Sequence, residues 1–174
     1  MELDPVDKIT TGAVGEPGQR MFFLQARSGE RLVTVLVEKQ QVELLWASIL
    51  EILSTLDEET GEGPPEEELE LEAPLEPIWR AGRLSIGYAE ARDRMLLELE
   101  ELLPEEEGDE GTAEDREPDR LRLWATREQM LALSRHGAAV AARGRPRCRF
   151  CGNPIDPEGH TCPAMNGHRG PSTV

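Results

Sequence analysis

The chain has 174 residues, 35 acidic and 19 basic, for a formal net charge of −16. That length suits one domain with a small appendage. That charge is repelled by nucleic acid and anionic membrane at long range, so neither is the expected partner.

Met1-Glu-Leu-Asp-Pro lacks a basic n-region and an apolar run, so no secretory signal is expected. No apolar stretch approaches the ~20 residues of a membrane span. Three cysteines cannot all pair within one chain, and disulfides are rare in reducing compartments. A cytoplasmic protein whose cysteines bind metal is the expectation.

Ile9 to Val14 can be read as a first strand. The glycine-rich run Gly12-Ala-Val-Gly15-Glu-Pro-Gly18-Gln-Arg20 follows. Such loops can cradle phosphate through backbone amides, with Arg20 assisting. No Walker or dinucleotide pattern accompanies it, which favours a plain turn before the next strand. Met21 to Arg27 reads as that strand, Ser28-Gly29-Glu30 as a tight turn, and Arg31 to Glu38 as a strand buried on both faces. From Gln41 the period changes. Val42, Leu45, Trp46, Ile49, Leu53 and Leu56 form one helical stripe.

Asp57 to Glu76 holds ten acids and no base, so residues 57–77 are expected to be a disordered acidic linker. The second half repeats the first half's order. Arg83 to Ala89 and Arg94 to Leu102 alternate as strands, and Asp119 to Trp124 as a third. Between them an acidic insertion covers about 103–118; Glu98 to Asp119 carries twelve acids against Arg116 alone. Thr126-Arg-Glu-Gln129 is a capping-box pattern opening a helix through Met130, Leu133, Gly137 and Val140, and Gly144 and Pro146 stop it. An offset of 88 aligns Lys39 with Arg127, Gln41 with Gln129 and Leu45 with Leu133. The expected fold class is α+β: mainly antiparallel sheet, two packed helices, a doubled β-β-β-α unit as one reading, and a small zinc knuckle. The units run 1–56 and 78–144, with the knuckle and tail in 145–174.

The strongest chemical signal lies in that tail. Cys148-Arg-Phe-Cys151-Gly152 presents two thiols at metal spacing, and Gly159-His160-Thr-Cys162-Pro163 offers a second pair. Three cysteines and a histidine make a closed tetrahedral set for structural zinc, leaving no open position for catalysis. His160 is preferred as fourth ligand, with His168 as the alternative. The tail is also basic. From Arg135 to Arg169 six arginines stand against Asp156 and Glu158, a balance of +4 that leaves −20 on the rest.

Other residues carry blander readings. Trp46, Trp79 and Trp124 are expected to pack, and His136 to be a surface or satisfied helix residue. Ser28, Ser85 and Ser134 lack a His–acid pairing.

The run from Gly144 to Gly167, with its CxxCG and GHxCP segments, resembles the C-terminus of an uncharacterised, mostly actinobacterial family that is a domain of unknown function. Gly12 to Arg20, Glu38-Lys-Gln-Gln41 and Leu84-Ser-Ile-Gly87-Tyr88 are similar to it too. Ala164 and His168 stand where the family pattern has an arginine and a tyrosine. The resemblance implies a process involving phosphoryl transfer. Its members are often encoded beside a phosphoinositide-kinase-like protein and a histidine-phosphatase-like protein, and it assigns no activity.

Three readings of function follow. The preferred one is a non-enzymatic cytosolic adaptor whose zinc-stapled tail docks one of those partners. The alternative is an enzyme or binding protein for a phosphorylated small molecule, with Arg20, Arg143, Arg145 and Arg147 as its anion site. RNA stacking on Phe150 is the third, and the acidic excess disfavours it.

Overall fold

A computed structural model of the chain describes residues 1–56, 58–103, 116–143, 148–153, 155 and 162–163. Two compact units divide the chain: Met1–Val14 with Met21–Ala142, and Gly15–Arg20 with Arg143–Val174. The first is built from β1 (Glu2–Leu3), β2 (Lys8–Val14), β3 (Met21–Ser28), β4 (Arg31–Val37), α1 (Lys39–Ser54), β5 (Pro77–Ala89), β6 (Arg94–Glu101), β7 (Arg120–Ala125) and α2 (Arg127–Ala142). The fold is α+β, as expected from the strand and helix periodicities.

All seven strands share one sheet in the order β1-β7-β6-β5-β4-β3-β2. Neighbours are antiparallel except at two junctions, β4 with β5 and β1 with β7, which are parallel. The sheet cannot be flat. Its end strands would then lie ~29 Å apart at about 4.8 Å per strand, whereas the chain from Leu3 to Lys8 reaches at most ~18 Å. The sheet therefore curls until its ends meet. Consecutive amides record the closure: Val6 N–H donates to the Trp124 carbonyl at 2.9 Å and Asp7 N–H to the Arg27 carbonyl at 2.8 Å.

Alternation along the strands sends one set of side chains inward. Met95, Leu97 and Leu99 of β6 and Leu121 and Leu123 of β7 are fully buried, as is Val35 of β4. Val42, Leu45 and Ile49 of α1 and Met130, Leu133 and Val140 of α2 complete the same core. Trp46 and Trp79 are half-buried. Trp124 is buried; its indole N–H donates to Glu2 Oε1 at 2.5 Å, and Arg92 stacks 4.1 Å from the ring centroid.

The two halves match in order, β2-β3-β4-α1 and β5-β6-β7-α2, and in detail. Glu38 N–H donates to Gln41 Oε1 at 2.8 Å, and Thr126 N–H to Gln129 Oε1 at 2.9 Å. Gln129 N–H returns to Thr126 Oγ1, completing the capping box that the sequence predicts.

The structure departs from the sequence reading in three places. β5 begins at Pro77 rather than Arg83, because Pro77 and Arg80 pair in parallel with Thr34 and Leu36 of β4. β1 is only two residues long, too short for a period. The third departure is the acidic tract expected as a disordered linker. Residues 58–76 belong to the first unit, with a 3₁₀ turn over Glu66–Leu69 and Leu69 buried. Glu58, Glu66 and Glu72 there meet Arg127, His136 and the pair Lys8 and Arg27, contacts that composition alone misses. Of the acidic insertion, residues 104–115 lie outside the described residues.

Arg127, at the start of α2, is buried between Asp93 Oδ1 at 2.9 Å and Glu58 Oε2 at 2.9 Å. Asp93 holds the turn between β5 and β6 with φ of 46°. The Tyr88 hydroxyl donates to it at 2.8 Å and, ahead of Arg127, holds its carboxyl below the usual range.

Candidate metal centre

After α2 the chain turns back on itself at Cys148. Cys148 N–H donates to the Asn153 carbonyl and Gly152 N–H to the Cys148 carbonyl, both at 2.8 Å. Gly152 has φ of 73°, a conformation that a side chain disfavours, so the glycine after Cys151 allows the knuckle to close. Phe150 N–H points at Cys148 Sγ at 3.4 Å.

This turn, with Cys162, places three thiols together. The sulfur atoms of Cys148, Cys151 and Cys162 all lie within 4.8 Å of one another, and Cys148 Sγ is 3.8 Å from Cys162 Sγ. A disulfide would bring the sulfurs to about 2.05 Å, so these are free thiols. The spacing fits ligands of one ion. A tetrahedral site with metal–sulfur bonds of about 2.3 Å has sulfur–sulfur edges of ~3.8 Å.

Burial and electrostatics agree with that use. Cys148 and Cys162 are buried and Cys151 is half-buried. The Cys148 thiol is held down to about 6, first by the Cys151 backbone N–H and then by that of Phe150. A thiolate is the form that binds metal, and backbone dipoles aimed at the sulfur stabilise it. The three cysteines can hold a metal ion.

Of the sequence-predicted ligands, the structure thus brings Cys148, Cys151 and Cys162 together. His160 and His168 lie outside the described residues, as do Arg145 and Arg147. Gly15 and Gly18 have φ of 112° and 95° and turn the chain between β2 and β3, whereas Gly12 lies inside β2. The loop Gly15–Arg20 falls in the same compact unit as the cysteine segment.

His136, Ser28 and Ser134 are structurally occupied. His136 is buried, with Nδ1 2.6 Å from Glu66 Oε1. Ser28 and Ser134 donate their hydroxyls to the carbonyls of Pro5 and Leu131. The buried Arg127 cluster escapes sequence reading, because nothing in local spacing links Glu58, Tyr88, Asp93 and Arg127. No described helix is long and apolar enough to cross a membrane.

Comparison with known proteins adds a family and no activity. No curated protein matches the chain, and no solved structure matches it. A family model described as a protein of unknown function, DUF3090, matches residues 1–162, so the chain belongs to the DUF3090 family.

Proposed function

We propose that the chain is a cytosolic accessory protein without catalysis of its own, its C-terminal segment stapled by one structural zinc. The observation that carries this reading is the cluster of three thiols within 4.8 Å. Zinc suits a set of three thiolates and one imidazole in softness and geometry, and His160 is the proposed fourth ligand. Cys148, Cys151 and Cys162 would be fixed as thiolates, and the ion would supply folding energy to a segment too small for its own core.

The partner class proposed is a phosphoinositide-kinase-like or histidine-phosphatase-like protein, on the resemblance quoted above. The test pairs elemental analysis of untagged protein with its capture from the native cell. One zinc per chain and a stoichiometric partner of either kind support the reading. A metal-free protein with reactive thiols would overturn the staple, and zinc without a partner would overturn the accessory role.

A second reading, a binding protein or enzyme for a phosphorylated small molecule, draws on one observation. Gly15–Arg20, with two glycines at positive φ, belongs to the same unit as the arginine-bearing C-terminal segment. Backbone amides in such turns can receive an anion. Thermal stabilisation by a phosphate ester, lost in Arg20→Ala, would favour this reading over the first.

A further inference from the structure

The acidic strap between the two halves makes contacts of an unusual kind. The Gln25 side chain reads the backbone of Glu72 in both directions: Nε2 donates to its carbonyl at 2.9 Å, and Oε1 accepts its N–H at 2.8 Å. The Thr10 hydroxyl donates to the Leu69 carbonyl, and Lys8 Nζ donates to the Glu70 carbonyl at 2.6 Å. Arg27 and Lys8 both pair with the Glu72 carboxylate. Gly12 leaves room for Leu71, since a Cβ there would sit 2.5 Å from Leu71 Cδ1. Backbone readout, one apolar seat and one charge clamp are what a groove uses to recognise an extended peptide.

We propose that this outer face of β2 and β3 is a docking groove for an extended, acidic, leucine-bearing segment of a partner protein, occupied in cis by residues 69–72. The floor of the groove supports exchange. Thr10, Gln25 and Thr34 are buried under the strap at 0%, 1% and 3% exposure. Permanently covered sheet faces are normally apolar, as the opposite face of the same strands is at Ile9, Leu24 and Val35. The floor is mixed, since Phe23, two residues from Gln25 on the same face of β3, is buried as well, but its polar members can be solvated when the strap lifts, so uncovering leaves no orphaned polar group.

The strap itself is suited to leaving. It adds no strand to the sheet, only Leu69 of its four residues is fully buried while Leu71 and Glu72 are half-buried, and Pro64, Pro65 and Pro74 flank it. It also states the ligand's chemistry: a leucine followed directly by a carboxylate, in an extended backbone. Tethering gives the strap an effective concentration on the order of millimolar, so a free peptide competes poorly until the strap is displaced. The groove deepens the accessory-protein reading and rests on it only for the existence of a partner.

The test uses a fluorescent peptide with the sequence of residues 66–76 and the full chain. Polarisation is measured against wild type, against Leu71→Asp/Glu72→Arg, which weakens the cis occupant, and against that variant with Gln25→Ala added. The strap variant is expected to bind at least about ten-fold tighter than wild type, as removal of a tethered competitor requires. Adding Gln25→Ala should abolish the gain. Equal binding by wild type and strap variant, or indifference to Gln25→Ala, would overturn the proposal. So would loss of cooperative unfolding in the strap variant, because a docking groove must survive empty. Hydrogen exchange on wild type gives a second check: the Glu72 amide should exchange far faster than that of Leu97, and equal protection would mark the strap as a permanent part of the core. The peptide assay needs no native partner, so it can fail or succeed independently of the capture experiment.

Discussion

Gln41 and Gln129, 88 positions apart, hold equivalent places in the two halves of the sheet. Each caps its own helix through Oε1, and each uses Nε2 to reach a backbone carbonyl distant in sequence, in β5 for Gln41 and in the connector between β1 and β2 for Gln129. Gln41 donates to the Ala81 carbonyl at 3.1 Å, and Gln129 to the Val6 carbonyl at 3.0 Å. The same residue type thus ties the start of α1 to β5 and the start of α2 to the connector after β1.

Replacing either glutamine with alanine should cost about 1–2 kcal/mol, the range for a helix cap with a further part-buried side-chain hydrogen bond. Urea unfolding measures it. If the clasps act independently, the double variant should sum the single effects to within about 0.5 kcal/mol. One glutamine carrying the whole effect would refute their equivalence.

Gly12→Ala should loosen the strap specifically. The added methyl meets the Leu71 side chain at 2.5–2.6 Å, and the strap can yield more easily than the sheet. Exchange of the Glu72 amide should rise while that of Leu97 holds. Unchanged protection at Glu72 would show that Leu71 relaxes in place.

Cys162→Ser should lower metal content from one ion per chain toward none, read by elemental analysis. The cooperative unfolding of the sheet should survive, because the three thiols lie outside its hydrophobic core. His160→Ala should release the ion at a lower chelator concentration, and His168→Ala should not. The reverse order would reassign the fourth ligand.

Acid should release the strap. The hydrogen bond from Arg27, and then those of Lys8, hold the Glu72 carboxyl below its ordinary range. A carboxyl depressed in the folded state contributes stability above its unfolded value, and that contribution fades as pH falls through the folded value. The window therefore lies below the ordinary glutamate value of about 4.3. Protection of the Glu72 amide, corrected for intrinsic exchange, should fall there in wild type and be lost at neutral pH in Arg27→Gln. A flat profile would separate the ion pair from the strap's docking.

Much of this architecture is legible in the chain because its core positions alternate without interruption. Met95, Leu97 and Leu99, or the stripe through Val42, Leu45 and Ile49, announce their elements by period alone. The thiol spacing does the same for Cys148 and Cys151. What periodicity cannot carry is pairing at a distance. Pro77 to Arg80 becomes strand only because Thr34 and Leu36 lie beside it, and Glu72 is ordered by Lys8, Gln25 and Arg27, whose placement no local window contains. An acidic run looks disordered until its counter-charges are located.

The amide of Val6 finds its carbonyl 118 positions onward, at Trp124. During vectorial synthesis Val6 emerges long before its acceptor. The three-stranded unit β2-β3-β4 can assemble while the ribosome is still working, but the curl must wait for residues 120–125. Closure of so long a loop is slow by topology. In the interval β7's future neighbour is an unpaired edge, the moment at which this chain is most exposed to misassociation.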